Sequence, residues 1–146
     1  MIRGDLLLIT KEQLEGIKIL DDSINVKISE IGSLRDIATS INAVLKDEVV
    51  QASKEHDKMG SLVAKIVDLE NEVNADIDKL VDLRTSLLEE IKNVLGQGTV
   101  EFNVIYLKYF VYKRQCEISY LINYTRQAVG EIEKRALKKL ELPDAF

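Results

Sequence analysis

The sequence has no tryptophan, one proline, one cysteine and one histidine among its 146 residues. Each scarcity excludes something. A lone Cys116 cannot close an intrachain disulfide, so no disulfide framework holds the fold and a reducing compartment suits it. The only proline is Pro143, so proline breaks no helix interior before it. No apolar run approaches the roughly 20 residues of a membrane-spanning helix. The short run in "MIRGDLLLIT" is also too brief for the core of a secretory signal. A soluble, intracellular protein is expected.

Catalytic material is equally sparse. His56 stands between Glu55 and Asp57 in a polar stretch. A lone imidazole beside scattered carboxylates is far more often solvated than a metal ligand. Cys116 has no histidine near it in sequence and reads as a small apolar contact at a helix start. "GQG" at Gly96–Gly98 lacks the Lys-Ser/Thr that completes a phosphate loop. No enzyme activity, metal or cofactor is expected.

The most telling absence is local. The first 99 residues hold no aromatic side chain, whereas Phe102, Tyr106, Tyr109, Phe110, Tyr112, Tyr120, Tyr124 and Phe146 all follow. Charge divides at the same place: residues 100–146 carry a net +2 and the rest a net −7. The glycines of "GQG" suit a helix end and a turn at the seam. Two domains are expected, a helical hairpin over 10–95 and a small domain over 100–142.

What fills the first part is periodicity. Ile17, Ile24, Ile31, Ala38 and Leu45 recur every seven residues, with Leu20, Leu34 and Ile41 in a companion row that Lys27 interrupts. Ile66, Val73, Leu80, Leu87 and Val94 repeat the pattern, with Leu69 and Leu83 beside them and Asp76 and Glu90 as interruptions. Seven-residue spacing held this long predicts a coiled coil, here a long antiparallel hairpin. "ITKEQ" predicts its start, with Thr10 as cap, Gln13 closing a capping box and Ile9 stapled to Leu14. The polar Lys46–Ser61 is expected to be the connecting loop. Two helices alone leave apolar surface uncovered. Either a second copy covers it, making Ile24, Ile31, Ile66, Val73, Leu80 and Leu87 a homodimer interface, or the C-terminal helices cover it within one chain.

The C-terminal part predicts three helices. Val100–Tyr112 is apolar nearly all round, with Val104, Leu107, Phe110 and Val111 towards a core. Glu117–Asn123 turns Ile118, Leu121 and Ile122 inward and can end at Asn123, which tolerates the left-handed conformation. Thr125 is a good N-cap for the last helix, which buries Val129, Ile132, Ala136 and Leu140 with Leu137 alongside. This is the pattern of a helix-turn-helix, whose second helix enters the major groove N-terminus first. Arg126 and Gln127 have the chemistry for guanine and adenine edges, with Gly130 and Glu131 completing the base-facing set. Lys113, Arg114, Thr125, Arg135 and Lys138 are the candidate phosphate contacts. Against this, a net +2 is a weak footprint, and Glu131 and Glu133 oppose phosphate.

The segment from Phe102 to Leu140 resembles the region-4 helix-turn-helix of sigma-70-type factors. That pattern's "E-I-A-x-x-L-G-x-S" reads "E-I-S-Y-L-I-N-Y-T" here, Glu117 to Thr125, followed by "A-L-K-K-L", Ala136 to Leu140. Ser119, Ile122, Asn123 and Thr125 are departures from it that preserve the geometry. Over residues 10–142 the chain also resembles small phage and prophage regulators of the ArpU and RinA type, which join a coiled coil to such a motif. The resemblance implies sequence-specific control of phage or prophage genes, with double-stranded DNA as partner and RNA polymerase as a second one. A complete sigma factor is not expected, because the acidic first 99 residues lack an aromatic, basic melting helix. Two other classes fit parts of the pattern. A small-terminase-like packaging subunit normally carries its DNA motif first. A protein-interaction module inhibiting a host protein would show no salt-dependent DNA affinity.

Overall fold

A computed structural model describes residues 9–47 and 52–141, with side chains left undescribed from 44 to 56. The side chains of Leu45 and His56, and Pro143, lie outside the described residues. The described chain is all helical: α1 (Lys11–Asp47), α2 (Ala52–Leu95), α3 (Val100–Ile105) running on into a π-helical turn (Tyr106–Phe110), α4 (Gln115–Ile122) and α5 (Arg126–Glu141). No described helix is long and apolar enough to cross a membrane. The chain divides into two compact units, residues 21–79 and residues 1–20 with 80–146.

The unit of residues 21–79 is the hairpin arm. Ile24, Ile31, Ile66 and Val73 are buried in it. Its two helices are antiparallel: Lys27 pairs with Asp76 at 2.7 Å, and Arg35, further along α1, pairs with Glu70, further back along α2. Lys27 and Asp76 are the very residues that interrupt the two apolar rows. The interruptions meet, so each polar intrusion neutralises the other, and a slipped register would separate them. Most of the expected loop Lys46–Ser61 is helical instead. Helix α1 continues through Asp47 and α2 begins at Ala52, so His56 stands on a helix. Polarity there did not prevent helix, because a segment can lack an apolar stripe and still propagate from a well-formed neighbour.

The second unit joins the hairpin base to the C-terminal helices. Its main core gathers Ile9, Leu14 and Ile17 with Leu87, Ile91 and Leu95, Ile105, Tyr109 and Phe110, and Ala136 and Leu140. Eleven buried side chains from Ile9 and α1, α2, α3 with its π-helical turn, and α5 thus share one core, so the expected boundary at "GQG" is not where the packing divides. Sequence composition changes at residue 100, but the last turns of the hairpin need the aromatic helices as their cover. The start of α1 follows its local code. Thr10 N–H donates to Gln13 Oε1 at 3.0 Å, Gln13 N–H returns the bond to Thr10 Oγ1 at 3.3 Å, and Ile9 and Leu14 are both buried. Ile9 N–H also reaches the Leu140 carbonyl at 3.4 Å, tying the entry of α1 to the end of α5.

The row expected to form a homodimer interface is already covered within one chain. Ile24, Ile31, Ile66, Val73 and Leu87 are buried within a single chain, and Leu80 packs against the main core. Side chains already withdrawn from water inside one copy have no apolar area left to offer another.

At the seam, Gly96 and Gly98 adopt φ of 88° and 87°, the left-handed region that glycine enters without a Cβ clash. Thr99 then caps α3, its Oγ1 accepting from Phe102 N–H. Helix α3 does not run regularly to Tyr112 as expected. It widens at Tyr106–Phe110, and Tyr112 at φ 64° reverses the chain while Lys113 N–H bonds the Leu107 carbonyl at 2.9 Å. The wider turn sets the Phe102, Tyr106 and Phe110 rings in a stacked row, centroids 6.0 and 5.8 Å apart. Arg84 covers the Phe110 ring and donates to the Phe110 carbonyl at 3.0 Å.

Candidate nucleic-acid interface

Helices α4 and α5 form a helix-turn-helix on a small core of Val104, Ile118, Val129 and Ile132, flanked by Val100, Leu107 and Ile122. Each element has a local cause. Arg114 N–H donates to Glu117 Oε1 at 3.0 Å, closing the first turn of α4. That backbone bond, with the Arg114 guanidinium beside it, holds the Glu117 carboxyl below its usual range. Helix α4 ends at Asn123 with φ 60°, the left-handed stop the sequence predicted. The turn is locked from within, because Ser119 Oγ donates to the Tyr124 carbonyl. Thr125 Oγ1 accepts from Ala128 N–H at 3.0 Å and starts α5. Gln115 Nε2 donates to the Arg126 carbonyl, fixing the first residue of α4 against the first of α5.

Helix α5 buries Val129, Ile132, Glu133, Ala136 and Leu140. Its opposite side is a row of Gln127, Glu131, Lys134 and Lys138, spaced by threes and fours and all exposed. Arg126 is exposed beside Gln127 at the N-terminal end. An α-helix presenting such a row beyond a three-residue turn has the shape of a major-groove reader.

The expected contacts separate into groups. Arg126, Gln127, Glu131 and Lys138 lie on the open side of α5. Gly130 does not: a Cβ there would stand 3.1 Å from Gln115 Nε2, so its small size serves the packing of α4 on α5 rather than approach to a groove wall. Arg135 is also corrected. It pairs with Glu101 at 3.3 Å, and Lys139 reaches the same carboxylate at 2.8 Å. The Lys139 bond, with Arg135 beside it, holds Glu101 below the usual carboxylate range, so this trio staples α5 to α3. Thr125 spends its hydroxyl on the cap, Arg114 is paired with Glu117 at 3.2 Å, and Lys113 lies 4.0 Å from the same carboxylate. Among the described residues, Arg126, Lys134 and Lys138 make no ion pair. Lys134 was absent from the expected set. Its signal was available, as it stands seven residues after Gln127 on the same helical row.

Glu133 was expected to repel phosphate, and the structure removes it from the surface. Its carboxylate is buried and accepts from Lys108 Nζ at 2.8 and 2.9 Å and from the Tyr109 hydroxyl at 2.5 Å. Burial, with Glu133 alongside, pushes the Tyr109 hydroxyl well above its ordinary value, so it stays protonated as the donor. The inward expectations for Leu121 and Val111 also fail. Leu121 is 52% exposed and Val111 38%, because α5 covers the other side of α4 and the chain reverses after Phe110. Tyr120 is 85% exposed beside Leu121.

Residues 13–68 match the flagellin hook IN motif, which is less than half of the chain and lies along the heptad-patterned helices. The chain is similar to the RNA polymerase sigma factor TcsR of Paraclostridium sordellii, 34% identical over 105 residues, which are 72% of this chain and 58% of that protein. The chain therefore matches less than two thirds of the length of that relative. A match of 105 residues is longer than everything after Thr99, so it reaches back into the hairpin. No solved structure matches the chain.

Proposed function

We propose that the chain is a DNA-binding transcription regulator of the sigma type, in which α5 reads duplex DNA and RNA polymerase is the partner. One observation carries this reading: a fully packed helix-turn-helix leaves Arg126 and Gln127 exposed at the start of its second helix, where base edges are met. The similarity to a named sigma factor supports the same direction. Lys138 and Lys134, further along the open row, are placed for phosphates. Phage or prophage genes are the narrower target, carried by the resemblance of the C-terminal motif, and the bacterial cytoplasm is the corresponding compartment. A homodimer belongs to this reading only through faces other than the buried row. Light scattering of the full chain measures it, and a monomer mass removes it.

The test is selection from a pool of random duplexes at near-physiological salt, followed by sequencing of the retained fraction. An enriched motif establishes specific recognition. Arg126→Ala should then weaken binding to that motif by about 1–3 kcal/mol and relax one base preference. Equal loss on random DNA would contradict base reading. If no DNA is retained, the protein-interaction reading takes its place, which the exposed Tyr120 and Leu121 of α4 favour.

A further inference from the structure

Some 116 residues before Gln127 in the sequence, Lys11 opens helix α1. The fold brings it to the same place. A cleft of about 470 Å³ along one side of α5 is lined by Lys11, Gln115, Gln127, Glu131 and Lys134. Every one of these residues belongs to the same compact unit. Three of them, Gln127, Glu131 and Lys134, are the open row of α5, and Gln115 is the first residue of α4.

We infer that Lys11 is a DNA backbone contact, gripping with Lys134 the phosphate strand that runs along the α4 side of the reading helix. This rests on the DNA-binding reading above. In a helix-turn-helix the first helix crosses the backbone beside the groove that the second helix enters. Lys11 shares the cleft with the start of that first helix, so it lies on the same flank of α5. Its backbone is held in place, because Ile9 and Leu14 are buried on either side of it and Ile9 N–H bonds the Leu140 carbonyl. Its side chain is exposed, stands outside the Thr10–Gln13 capping box, and makes no ion pair among the described residues. Glu133 also lines the cleft, but Lys108 and the Tyr109 hydroxyl already occupy its carboxylate. Of the two acids lining the cleft, that leaves Glu131, which can accept from a cytosine amino group at the groove floor. The ligand is thus the phosphodiester backbone of duplex DNA, and the contact positions the domain rather than choosing sequence.

The experiment titrates the full chain, Lys11→Ala, Lys11→Gln and Lys11→Arg against the selected duplex and a scrambled one, by fluorescence anisotropy between about 50 and 200 mM salt. Both neutral variants should lose about 3- to 10-fold in affinity on the two duplexes alike and flatten the log–log salt slope by about 1, while Lys11→Arg restores both. Their melting temperatures should match the wild type, since the side chain is exposed and lies outside the cap. Unchanged affinity and slope in the neutral variants, with a wild type that binds the selected duplex, would sink the Lys11 contact and leave the DNA reading standing. Loss on the selected duplex alone would make Lys11 a base reader and overturn its backbone role. A wild type that binds neither duplex overturns both inferences.

Discussion

Between residues 21 and 79 the two long helices pack on each other among the described residues, whereas the first turns of α1 and the last turns of α2 share a core with α3 and α5. The apolar repeat is the same in both regions, and the outcome differs. Ile17 is fully enclosed, while Ile31, two heptads further along the same row, keeps some exposure. In the hairpin arm Val26, Ile28, Ile37, Val63, Val67 and Ile77 remain open to solvent. A heptad row specifies which side of a helix is buried. How deeply it is buried depends on how many neighbours the fold supplies.

That contrast can be broken by mutation, and the largest effect is expected in the enclosed region. Ile17→Ala should cost about 3–5 kcal/mol and Ile31→Ala about 2 kcal/mol, since the cost grows with the cavity left behind. Denaturant unfolding of the two variants would show it, and equal losses would mean that the two regions are equally packed. Glu133→Ala comes next. It strands Lys108 and the Tyr109 hydroxyl at a half-buried site, for an expected cost of about 2–3 kcal/mol. Glu133→Gln should recover part of that loss, and no difference between the two variants would show that the hydrogen bonds do not matter.

Smaller effects probe the polar contacts. In the hairpin arm, Lys27→Met alone should lower stability by leaving Asp76 facing an apolar row, and adding Asp76→Leu should bring it back. A double variant as unstable as the single would mean that the pair is worth more than the apolar contact replacing it. The weakest test uses pH. Glu101 titrates below its ordinary value near 4.5 in the folded chain, so its contribution is present above that pH and is lost as the pH falls through the folded value. Melting curves from about pH 7 down to about pH 3 should therefore show the wild type converging on Glu101→Gln at the acid end. Parallel curves would remove the Glu101 staple from the account.

Local rules made much of this molecule legible in advance. The Thr10–Gln13 box, the Ile9–Leu14 staple, the Asn123 stop, the Thr125 cap and the buried face of α5 all depend on residues within a few positions of one another. Such patterns survive in any tertiary setting because the backbone groups they satisfy are their own neighbours. The mistakes arose where a residue's partner was far away in sequence. Arg135 and Gly130 looked free for DNA along their own helix, but Glu101 and Gln115 claim them from others. Leu121 looked inward because its spacing fits, but no described helix covers that side of α4.

By itself the sequence determined that the chain is helical, where α1 starts, where α4 stops and α5 starts, which heptad rows are apolar, and that its last helix is a candidate DNA reader. Those properties follow from period, caps and side-chain chemistry, which act over one or two turns. Only the tertiary structure decided that Lys27 meets Asp76 across 49 residues, that Glu133 is buried under Lys108 and Tyr109, and that Lys11 stands beside the open row of α5. Each of these brings polar or charged groups together from different helices. A charge carries no periodic signal naming its partner, so only the packing of the apolar faces between those helices brings the two together.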